Sequence, residues 1–575
     1  MHNTKKRLSK QLTFHRKHLS SMAETVKPDK RDSGITADDG ETKNLYENDL
    51  EAEAVNLSQL SSQSSTGPPI EPNVITRVLT RLSRRQTKPI PLMGGGRDYP
   101  PPLPDRDPYR VDFDGPDDPI HPYNWPFKQK AIIVAALGFS TLTVVWGSAV
   151  FSNAIPFVCE EFHVSSEVGV LTISLYVLGF ASGPVMWAPI SELYGRKLPI
   201  VLSMLGVTVF SFGTATAKDL QTIMLTRFFC GFIGAGPVAV VAAAFADMFN
   251  NETRGKAVAT FSLMVFCGPI LAPVVGGFIA YSYLGWRWTE YITGIMGALS
   301  LIASIFLYEE SYHPIILVNK ARELRRQTGN WGIYASHELN EFNGSELITN
   351  NLSRPIAMLF SEPILFLMSL YSAFIYGILY TFLEAYPIVF EGYNFKKGIV
   401  ELPYIGMFIG MVGSAGTIIL FFEPKYIEKV KENGWRPVPE ARLPPMMLGA
   451  VLFPIGVFWF TWSGNYPDKV HWAVPTVSGL FSGFGFVSIF LPSMNYVIDS
   501  YLKFAASAMA ANTFLRSSFG AAFPLFASIM FHNLGINWAG TLIGCIAILL
   551  VPIPFLFAKF GKSLRRRSKF AFDLS

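Results

Sequence analysis

Long apolar runs alternate with short polar segments along most of this chain, and the pattern predicts a helical membrane protein. A run of about 20 residues is long enough for a helix to cross roughly 30 Å of hydrocarbon. Twelve such spans are predicted, near residues 131–151, 168–189, 198–216, 221–246, 257–281, 290–307, 362–383, 400–422, 445–462, 472–498, 504–530 and 538–558. The predicted fold class is an all-α polytopic membrane protein of twelve transmembrane helices in two six-helix halves.

The spacing of the spans divides the chain into five parts. Residues 1–125 are polar and rich in proline and serine, which predicts a disordered N-terminal tail. We expect no signal peptide, because the basic start is not followed by an apolar core. The remaining parts are the first half at 126–307, a central loop at 308–361 with a surface helix, the second half at 362–559 and a basic tail at 560–575.

Composition supports a membrane protein and excludes several other classes. The 575 residues are 50% hydrophobic and only 16% charged. The net charge of +5 does not indicate a nucleic-acid partner, since the charges cluster at the ends of apolar runs. The four cysteines lie in or beside apolar runs and the nine histidines show no metal-ligand spacing, so we expect neither disulfides nor a metal site. No phosphate-binding loop is present, and we predict no cofactor and no enzymatic activity.

The distribution of lysine and arginine predicts the orientation in the membrane. With the N-terminus inside, the exterior loops hold five cations, and the interior loops hold at least fifteen. Cytoplasmic loops carry the excess of Lys and Arg in membrane proteins. Both termini are therefore predicted to be cytoplasmic.

A short polar loop between spans two and three carries the first motif, within "GPVMWAPISELYGRK" at 183–197. A glycine permits a tight turn there, and Glu192 can pair with Arg196 or with a helix end across the loop. This predicts a cytoplasmic latch that opens and closes with transport. The alternative is that the cations only anchor the loop to the membrane surface.

Two spans carry unusual residues. Span four contains Arg227 about two turns inside an apolar segment, together with three glycines, and a charge there should face a partner or water. The alternative is that Arg227 extends to the outer interface. Span five contains "FCGPILAPVVGG" at 266–277, whose glycines and prolines form helices poorly but permit close approach of a neighbouring helix.

These motifs resemble those of the fungal major facilitator superfamily, specifically the twelve-span drug:proton antiporters, and within them the yeast polyamine exporters. The family loop G-x-L-A-D-R-x-G-R-K is similar to the segment at 188–197, and the resemblance implies a gating role for Glu192 and Arg196. It also implies proton coupling at Arg227. The family's span-five antiporter motif, G-x-x-x-G-P-x-x-G, corresponds to the stretch containing Gly268, Pro269, Ala272, Pro273, Gly276 and Gly277, with Ala272 in place of one glycine.

Acidic residues in or beside the spans are candidates for substrate and proton binding. Glu384 follows the predicted span 362–383 directly and lies deep in an apolar segment, where a carboxylate can take a proton or hold a cationic amine, but not both. Alternatively, it lies among the outer headgroups. We place Glu384, Tyr380, Asn153 and Arg516 in the predicted substrate site. Asp247 joins the gating group, and Glu309 and Asp499 are further acidic candidates; these acids could also be interfacial. Most aromatic residues are expected to form interfacial belts, although some can hold cationic or flat substrates.

The sequence thus predicts a monomeric, proton-coupled antiporter that exports polyamines and/or apolar, azole-type drugs by alternating access. Its expected partners are a cationic or apolar small molecule, protons and the lipid bilayer. The expected location is the plasma membrane, with the vacuolar membrane as the alternative. A proton-coupled importer of a nutrient or amine, and a non-transporting membrane sensor, remain open alternatives.

Overall fold

The computed structural model describes residues 107–250, 253–339, 353–434, 436–501, 504–568 and 570. Within these ranges, twelve helical segments are long and apolar enough to cross a membrane. Spans 1 to 12 run over Phe127–Phe162, Ser166–Tyr194, Lys197–Ala215, Leu220–Met248, Gly255–Ala280, Arg287–Phe306, Pro363–Glu391, Ile399–Glu432, Pro444–Gly464, Ala473–Ser500, Ser507–Leu534 and Ile536–Arg566. The predicted fold class is confirmed, because each predicted span overlaps one of these segments.

Several spans consist of two helices in line. Span 2 is formed by Ser166–Ser182 and Pro184–Tyr194, and span 4 by Leu220–Gly234 and Gly236–Met248. Each second helix has proline in its first two positions, where the missing N–H would have no partner within the helix. The other composite spans are span 1 (Phe127–Ala149, a 3₁₀ turn Val150–Ala154, and Ile155–Phe162), span 8 (Ile399–Glu401, Tyr404–Thr417, a π turn Ile418–Phe422, and Glu423–Glu432) and span 12 (Ile536–Leu550 and Pro552–Arg567).

The remaining spans are single helices, several with internal proline. The helix of span 5 is Arg254–Ala280 and that of span 11 is Ala505–Leu534. Pro269 and Pro273 lie within the span-5 helix without ending it. Such prolines are tolerated in membranes, because neighbouring helices and local adjustments satisfy the freed backbone groups.

The two halves share one continuous apolar interface. One buried cluster lies within the first half and includes Leu137, Met204 and Phe245. A second, larger cluster fills the second half and extends onto the first half at Trp146 and Phe266. Span 5 packs on span 8, and span 2 packs on span 11, so the halves meet along two pairs of helices. Because the number of spans is even, both ends of this helical bundle lie on one side, called the terminal face below.

Structure outside the spans corrects two predicted boundaries. Residues up to 106, most of the predicted disordered tail, lie outside the described residues. Residues 107–125 belonged to the same prediction but are folded: they form two short 3₁₀ helices, Asp107–Tyr109 and Pro122–Asn124, and a bridge from Arg110 to Tyr334. The last helix continues to Arg567, into the predicted basic tail, because Arg565 is buried and pairs with Glu440.

The central stretch contains two described helices. His313–Thr328 confirms the predicted surface helix, and Arg354–Ser361 precedes span 7. Residues 340–352 between them are not described. All four cysteines are free thiols.

Candidate transport site

Arg227 is a fully buried cation in span 4. Its Nη1 atom donates to the Glu290 carboxylate in span 6 at 3.0 Å and to the backbone carbonyl of Gly147 at 2.7 Å. The guanidinium also lies over the rings of Tyr176 and Phe151, with its Cζ atom 4.5 and 4.8 Å from their centroids. The partner that the sequence required is therefore Glu290, which sequence reasoning missed because an acid near the start of a span is typical of an interface.

Glycines hold Arg227 at this depth by bringing spans 2 and 4 into backbone contact. A Cβ atom on Gly231 would collide with the backbone carbonyl of Tyr176, and one on Gly179 would collide with that of Phe228. Small residues permit this approach of two helices within a membrane. The predicted combination of arginine and glycines in span 4 thus forms a packed charge site in the first half.

A line of hydroxyl groups connects this site to the second half. Ser148 in span 1 donates to the carbonyl of Val145 at 2.7 Å and lies 2.7 Å from the hydroxyl of Tyr380 in span 7. The hydroxyls of Tyr380 and Tyr376 are 3.4 Å apart. Because the Ser148 proton is engaged by Val145, Tyr380 donates across the boundary between the halves. Tyr380 therefore lies where the halves meet, in the centre of the bundle.

Arg516 in span 11 continues this line on the far side of Tyr376. Its Cζ atom lies 4.7 Å from the Tyr376 ring centroid and 4.9 Å from that of Phe490, and its side chain is buried. The Phe490 ring packs edge-on against Phe266 of span 5, with centroids 4.6 Å apart. In the part of the chain that the structure describes, Arg516 forms no ion pair.

Two carboxylates lie nearer the face opposite the terminal face. Glu384 in span 7 is half-buried between buried neighbours, as expected, and Glu401 at the start of span 8 is 5% exposed. No described cation forms an ion pair with either residue, and Oε2 of Glu401 has no hydrogen-bond partner. Sequence reasoning missed Glu401, although it stands at the edge of the predicted span 400–422, as Glu384 stands at the edge of the predicted span 362–383.

The span-5 motif packs in two directions. A Cβ on Gly268 or Gly276 would lie 3.0 or 3.1 Å from backbone atoms of span 1, so these glycines face the first half. A Cβ on Gly277 would instead lie 3.1 Å from Cγ of Glu401 and 3.4 Å from Gly398, across the boundary to the second half. Adjacent glycines thus serve two different interfaces.

The remaining motif positions support the contact with span 1. Ala272 is completely buried, and the Asn153 amide of span 1 donates to the carbonyl of Pro273 at 2.9 Å. Asn153 therefore anchors span 5 in this conformation, whereas the sequence placed it in the substrate site. Pro269 lies one residue after Gly268, within the continuous helix.

A cluster of charges on the terminal face surrounds the loop between spans 2 and 3. Arg196 donates from Nε to Asp247 at the end of span 4 (2.9 Å) and from Nη1 to Ser191 (2.5 Å). The Glu310 carboxylate accepts the backbone N–H groups of Arg196 and Lys197 at 2.8 and 3.0 Å. The loop is therefore fixed by an acid at the end of span 4 and by an acid in the segment that follows span 6.

The expected pairing of Glu192 with Arg196 is wrong for this conformation, because Asp247 takes that position and Glu192 is exposed. Gly195 is required in this loop for two reasons. Its φ is +92°, and a Cβ there would collide with the Glu310 carboxylate. Glu310 is thus a positioning residue of the loop that the sequence analysis did not identify.

The second half repeats this arrangement with different residues. Arg442, before span 9, donates to Glu423 at 2.8 Å and to Asp499 at 3.3 Å, and Tyr426 donates to Asp499 at 2.8 Å. Asp499 ends span 10 as Asp247 ends span 4, so the two clusters occupy corresponding places in the halves. Gly255 of span 5 lies directly against the Glu423 carboxylate, so a Cβ at this position would displace that side chain.

The acidic candidates therefore separate by position. Asp247 and Asp499 lie in the two ion-pair clusters of the terminal face. Glu309 is exposed and accepts a hydrogen bond from Gln129 at 2.9 Å. Glu384 lies within a span, away from both clusters.

Comparisons with known proteins agree with this architecture. Residues 137–524 match the Major Facilitator Superfamily. The chain is 55% identical over 501 residues to the major facilitator superfamily multidrug transporter FLU1 of Candida albicans, covering 87% of this chain and 82% of the relative. It is 53% identical over 485 residues to the multidrug transporter TPO1_2 of Candida glabrata, covering 84% of this chain and 83% of the relative.

Solved structures show the same fold at low sequence identity. The E. coli proton:xylose symporter XylE superposes with a TM-score of 0.55 and 16% identity, covering 76% of this chain and 96% of the symporter. This chain belongs to the Major Facilitator Superfamily. It is a multi-pass membrane transporter and not an enzyme, and the resemblance seen in the sequence is confirmed.

Proposed function

We propose that this protein is a proton-coupled antiporter that exports polyamines or apolar drugs from the cytoplasm. The observation that carries the proposal is the presence of Glu384 and Glu401, for which no described cation forms an ion pair, beside a buried aromatic interior. An ammonium group binds well to a carboxylate and to aromatic faces. Flat apolar drugs can stack on the same rings.

Exchange follows from competition at one carboxyl group. A protonated Glu384 has no negative charge with which to hold an amine, and an amine-bound Glu384 has no free place for a proton. Binding of a proton from outside therefore releases the amine outward, and loss of the proton to the cytoplasm restores the site. This mechanism needs no cofactor.

Contacts between the halves at both ends support alternating access. On the terminal face, Gly255 packs against Glu423, and on the opposite face Gly277 packs against Gly398 and Glu401. Each contact closes one route to the centre, and rocking of the halves would open them in turn. We place the terminal face in the cytoplasm, because the predicted interior loops carry the excess of Lys and Arg. Export from the cell, as proposed here, requires the plasma membrane.

Relatives support the class of substrate. The two fungal relatives described above carry the name multidrug transporter and cover more than 80% of this chain. Their similarity covers most of the chain rather than one motif. Export of several apolar or cationic compounds is therefore the substrate range proposed for this chain.

Efflux from proteoliposomes tests the proposal. The purified chain is reconstituted, a proton gradient is imposed, and the release of labelled spermidine and of an azole is measured. Glu384→Gln should reduce gradient-driven spermidine efflux roughly tenfold or more, as loss of a charge contact of about 1.4 kcal/mol would. The exposed Glu309→Gln variant is the matched control and should transport as the wild type does.

Two results would overturn this function. If the proton gradient drives neither spermidine nor azole out, but drives a nutrient inward, the protein is an importer, the direction used by the symporter that shares its fold. If Glu384→Gln retains full efflux and proton dependence, the carboxylate assignment is wrong. If transport is absent for every compound while deletion of the gene alters a cellular response, the sensor alternative is favoured.

A further inference from the structure

Arg516 is a buried cation whose surroundings supply no negative charge. Its side chain is 1% exposed, and within the described chain no carboxylate forms an ion pair with it. Its Nε atom has no hydrogen-bond partner. A charge buried in a membrane protein without a partner is costly, and such residues usually mark a functional site.

The neighbours of Arg516 leave its donors unused. Tyr376 and Phe490 contact the guanidinium through their rings, at 4.7 and 4.9 Å from its Cζ atom. Aromatic rings stabilise the cation but accept no ordinary N–H···O bonds, so the planar fork of donors is free for an anion. Glu290, the buried acid of the first half, is paired with Arg227 instead.

Further unsatisfied polar atoms lie on the same part of span 11. Asn512, one turn before Arg516, donates to Ser369 at 3.2 Å, but its Oδ1 atom has no partner. The Ser517 hydroxyl is fully buried and also has none. Buried polar atoms are nearly always hydrogen-bonded, so three unsatisfied side chains within about one turn of span 11 support a site for a polar ligand there.

We propose that Arg516 binds the carboxylate or sulfonate group of an organic anion, with the aromatic part of the ligand against Tyr376 and Phe490. The planar guanidinium matches two oxygens of such a group, which a point charge would not do. The transporter would then accept organic anions and zwitterionic drugs in addition to the amines and apolar drugs proposed above. The centre has two ends of opposite charge, Arg516 and the pair Glu384 and Glu401, and each selects a different class of ligand.

Three benzene derivatives of similar size separate these classes. Benzenesulfonate is a permanent anion, benzenesulfonamide is neutral, and benzyltrimethylammonium is a permanent cation. Binding of each labelled probe to the purified full-length protein is measured for the wild type, Arg516→Gln and Arg516→Lys. We expect Arg516→Gln to weaken benzenesulfonate binding about tenfold or more, Arg516→Lys to weaken it less, and neither to weaken binding of the cation.

A stability measurement separates this role from a structural one. If Arg516 is kept for a ligand, Arg516→Gln should unfold at the same temperature as the wild type or higher, because an unpaired buried charge is removed. If both Arg516 variants fail to fold, the arginine is a structural residue and the proposal is wrong. Equal benzenesulfonate binding by wild type and Arg516→Gln, no binding by the wild type, or equal losses for all three probes would also overturn it.

A test on the unaltered protein is independent of any variant. Phenylglyoxal modifies arginine, and benzenesulfonate should slow its reaction at Arg516 but not at the exposed Arg326, as read by mass spectrometry of the two peptides. Equal slowing at both sites, or none, contradicts the proposal. Failure of spermidine efflux in the wild type would overturn the proposed export of amines while leaving anion binding at Arg516 intact.

Discussion

The buried arginines of the two halves have different partners. In the first half, Arg227 has a carboxylate at 3.0 Å, two aromatic faces and a backbone carbonyl. In the second half, Arg516 has only the aromatic faces, and no described cation forms an ion pair with Glu384 or Glu401. A paired charge holds helices together, whereas an unpaired charge is available to a ligand or proton. The first half therefore resembles a scaffold, and the second half carries most of the groups that can bind.

On the terminal face the two halves are alike, since charged residues form ion pairs in both. Each half has an arginine–aspartate ion pair at the corresponding position, Arg196 with Asp247 and Arg442 with Asp499. The contrast between a paired and an unpaired buried arginine lies in the membrane interior. That location supports a role in ligand binding rather than in general stability.

The largest effect is expected from removing the partner of Arg227. Glu290→Gln leaves a buried cation without its anion, which should lower stability by about 3–5 kcal/mol. Thermal unfolding of the purified protein measures this. The double variant Arg227→Met with Glu290→Gln should recover part of the loss, because no charge then remains buried.

The exposed Glu309→Gln variant is the control for Glu290→Gln and should lie within about 0.5 kcal/mol of wild type. If Glu290→Gln unfolds at the wild-type temperature, the contrast between the halves does not hold. Arg516→Gln is expected to show the opposite sign of effect.

A second, intermediate effect separates packing within a half from packing between halves. Gly277→Leu places its side chain against Glu401 and Gly398 of the second half, where close approach is needed to shut the opposite face. We expect a folded protein with little transport and greater labelling of cysteines introduced near that face. Gly276→Leu instead strains the contact with span 1 and should cost about 1–3 kcal/mol of stability.

Thermal unfolding and transport are measured for both glycine variants, and the two sets of values are compared. Equal losses of stability for Gly276→Leu and Gly277→Leu would show that span 5 packs as one uniform surface. The difference assigned to the two adjacent glycines would then be wrong.

The smallest effect concerns the folded segment before span 1, where two histidine rings pack together. The His121 ring lies 4.5 Å from that of His313, and its Nδ1 accepts the backbone N–H of Tyr123 at 3.2 Å. Burial, and then the charge of His313, lower the pKa of His121 below its ordinary value, against a weaker opposing effect of Asp118. The segment is therefore fully stabilised above about pH 6.5 and loses this stabilisation as the pH falls through the lowered pKa.

Hydrogen exchange of residues 113–125, corrected for intrinsic rates, measures the effect at about pH 7.5 and 5.5. We expect faster exchange at the lower pH in the wild type. His121→Asn keeps a side-chain acceptor but does not titrate, so its exchange should show no such change. An identical pH response in the two proteins would exclude His121 as the cause.

The sequence predicted correctly those features that depend on a local pattern of residues. Apolar runs of membrane-spanning length predicted all twelve spans, since any helix of that composition must be buried in lipid or protein. Arg227 was identified because a charge in an apolar run is exceptional wherever it occurs. The small residues of span 5 were identified because only close packing explains them.

Reasoning from single spans failed where a partner comes from a distant span. Glu290 lies 63 residues from Arg227, and Glu310 lies 114 residues from Arg196, so neither pairing is visible in a local window. Arg442 pairs with Glu423 and Asp499, which are 19 and 57 residues away, so this cluster is also invisible in a local window. Asn153 was assigned to a substrate although its amide is already bound to the backbone of span 5.

The sequence by itself determined the number of spans, their apolar character, the superfamily motifs and the presence of charges inside the membrane. These properties depend on composition and spacing within a single span of about 20 residues. Tertiary structure alone decided which charges are neutralised, because an ion pair depends on distances between helices that are far apart in the chain. It therefore distinguished Arg227, held by Glu290, from Arg516, which two aromatic rings leave open to an anion.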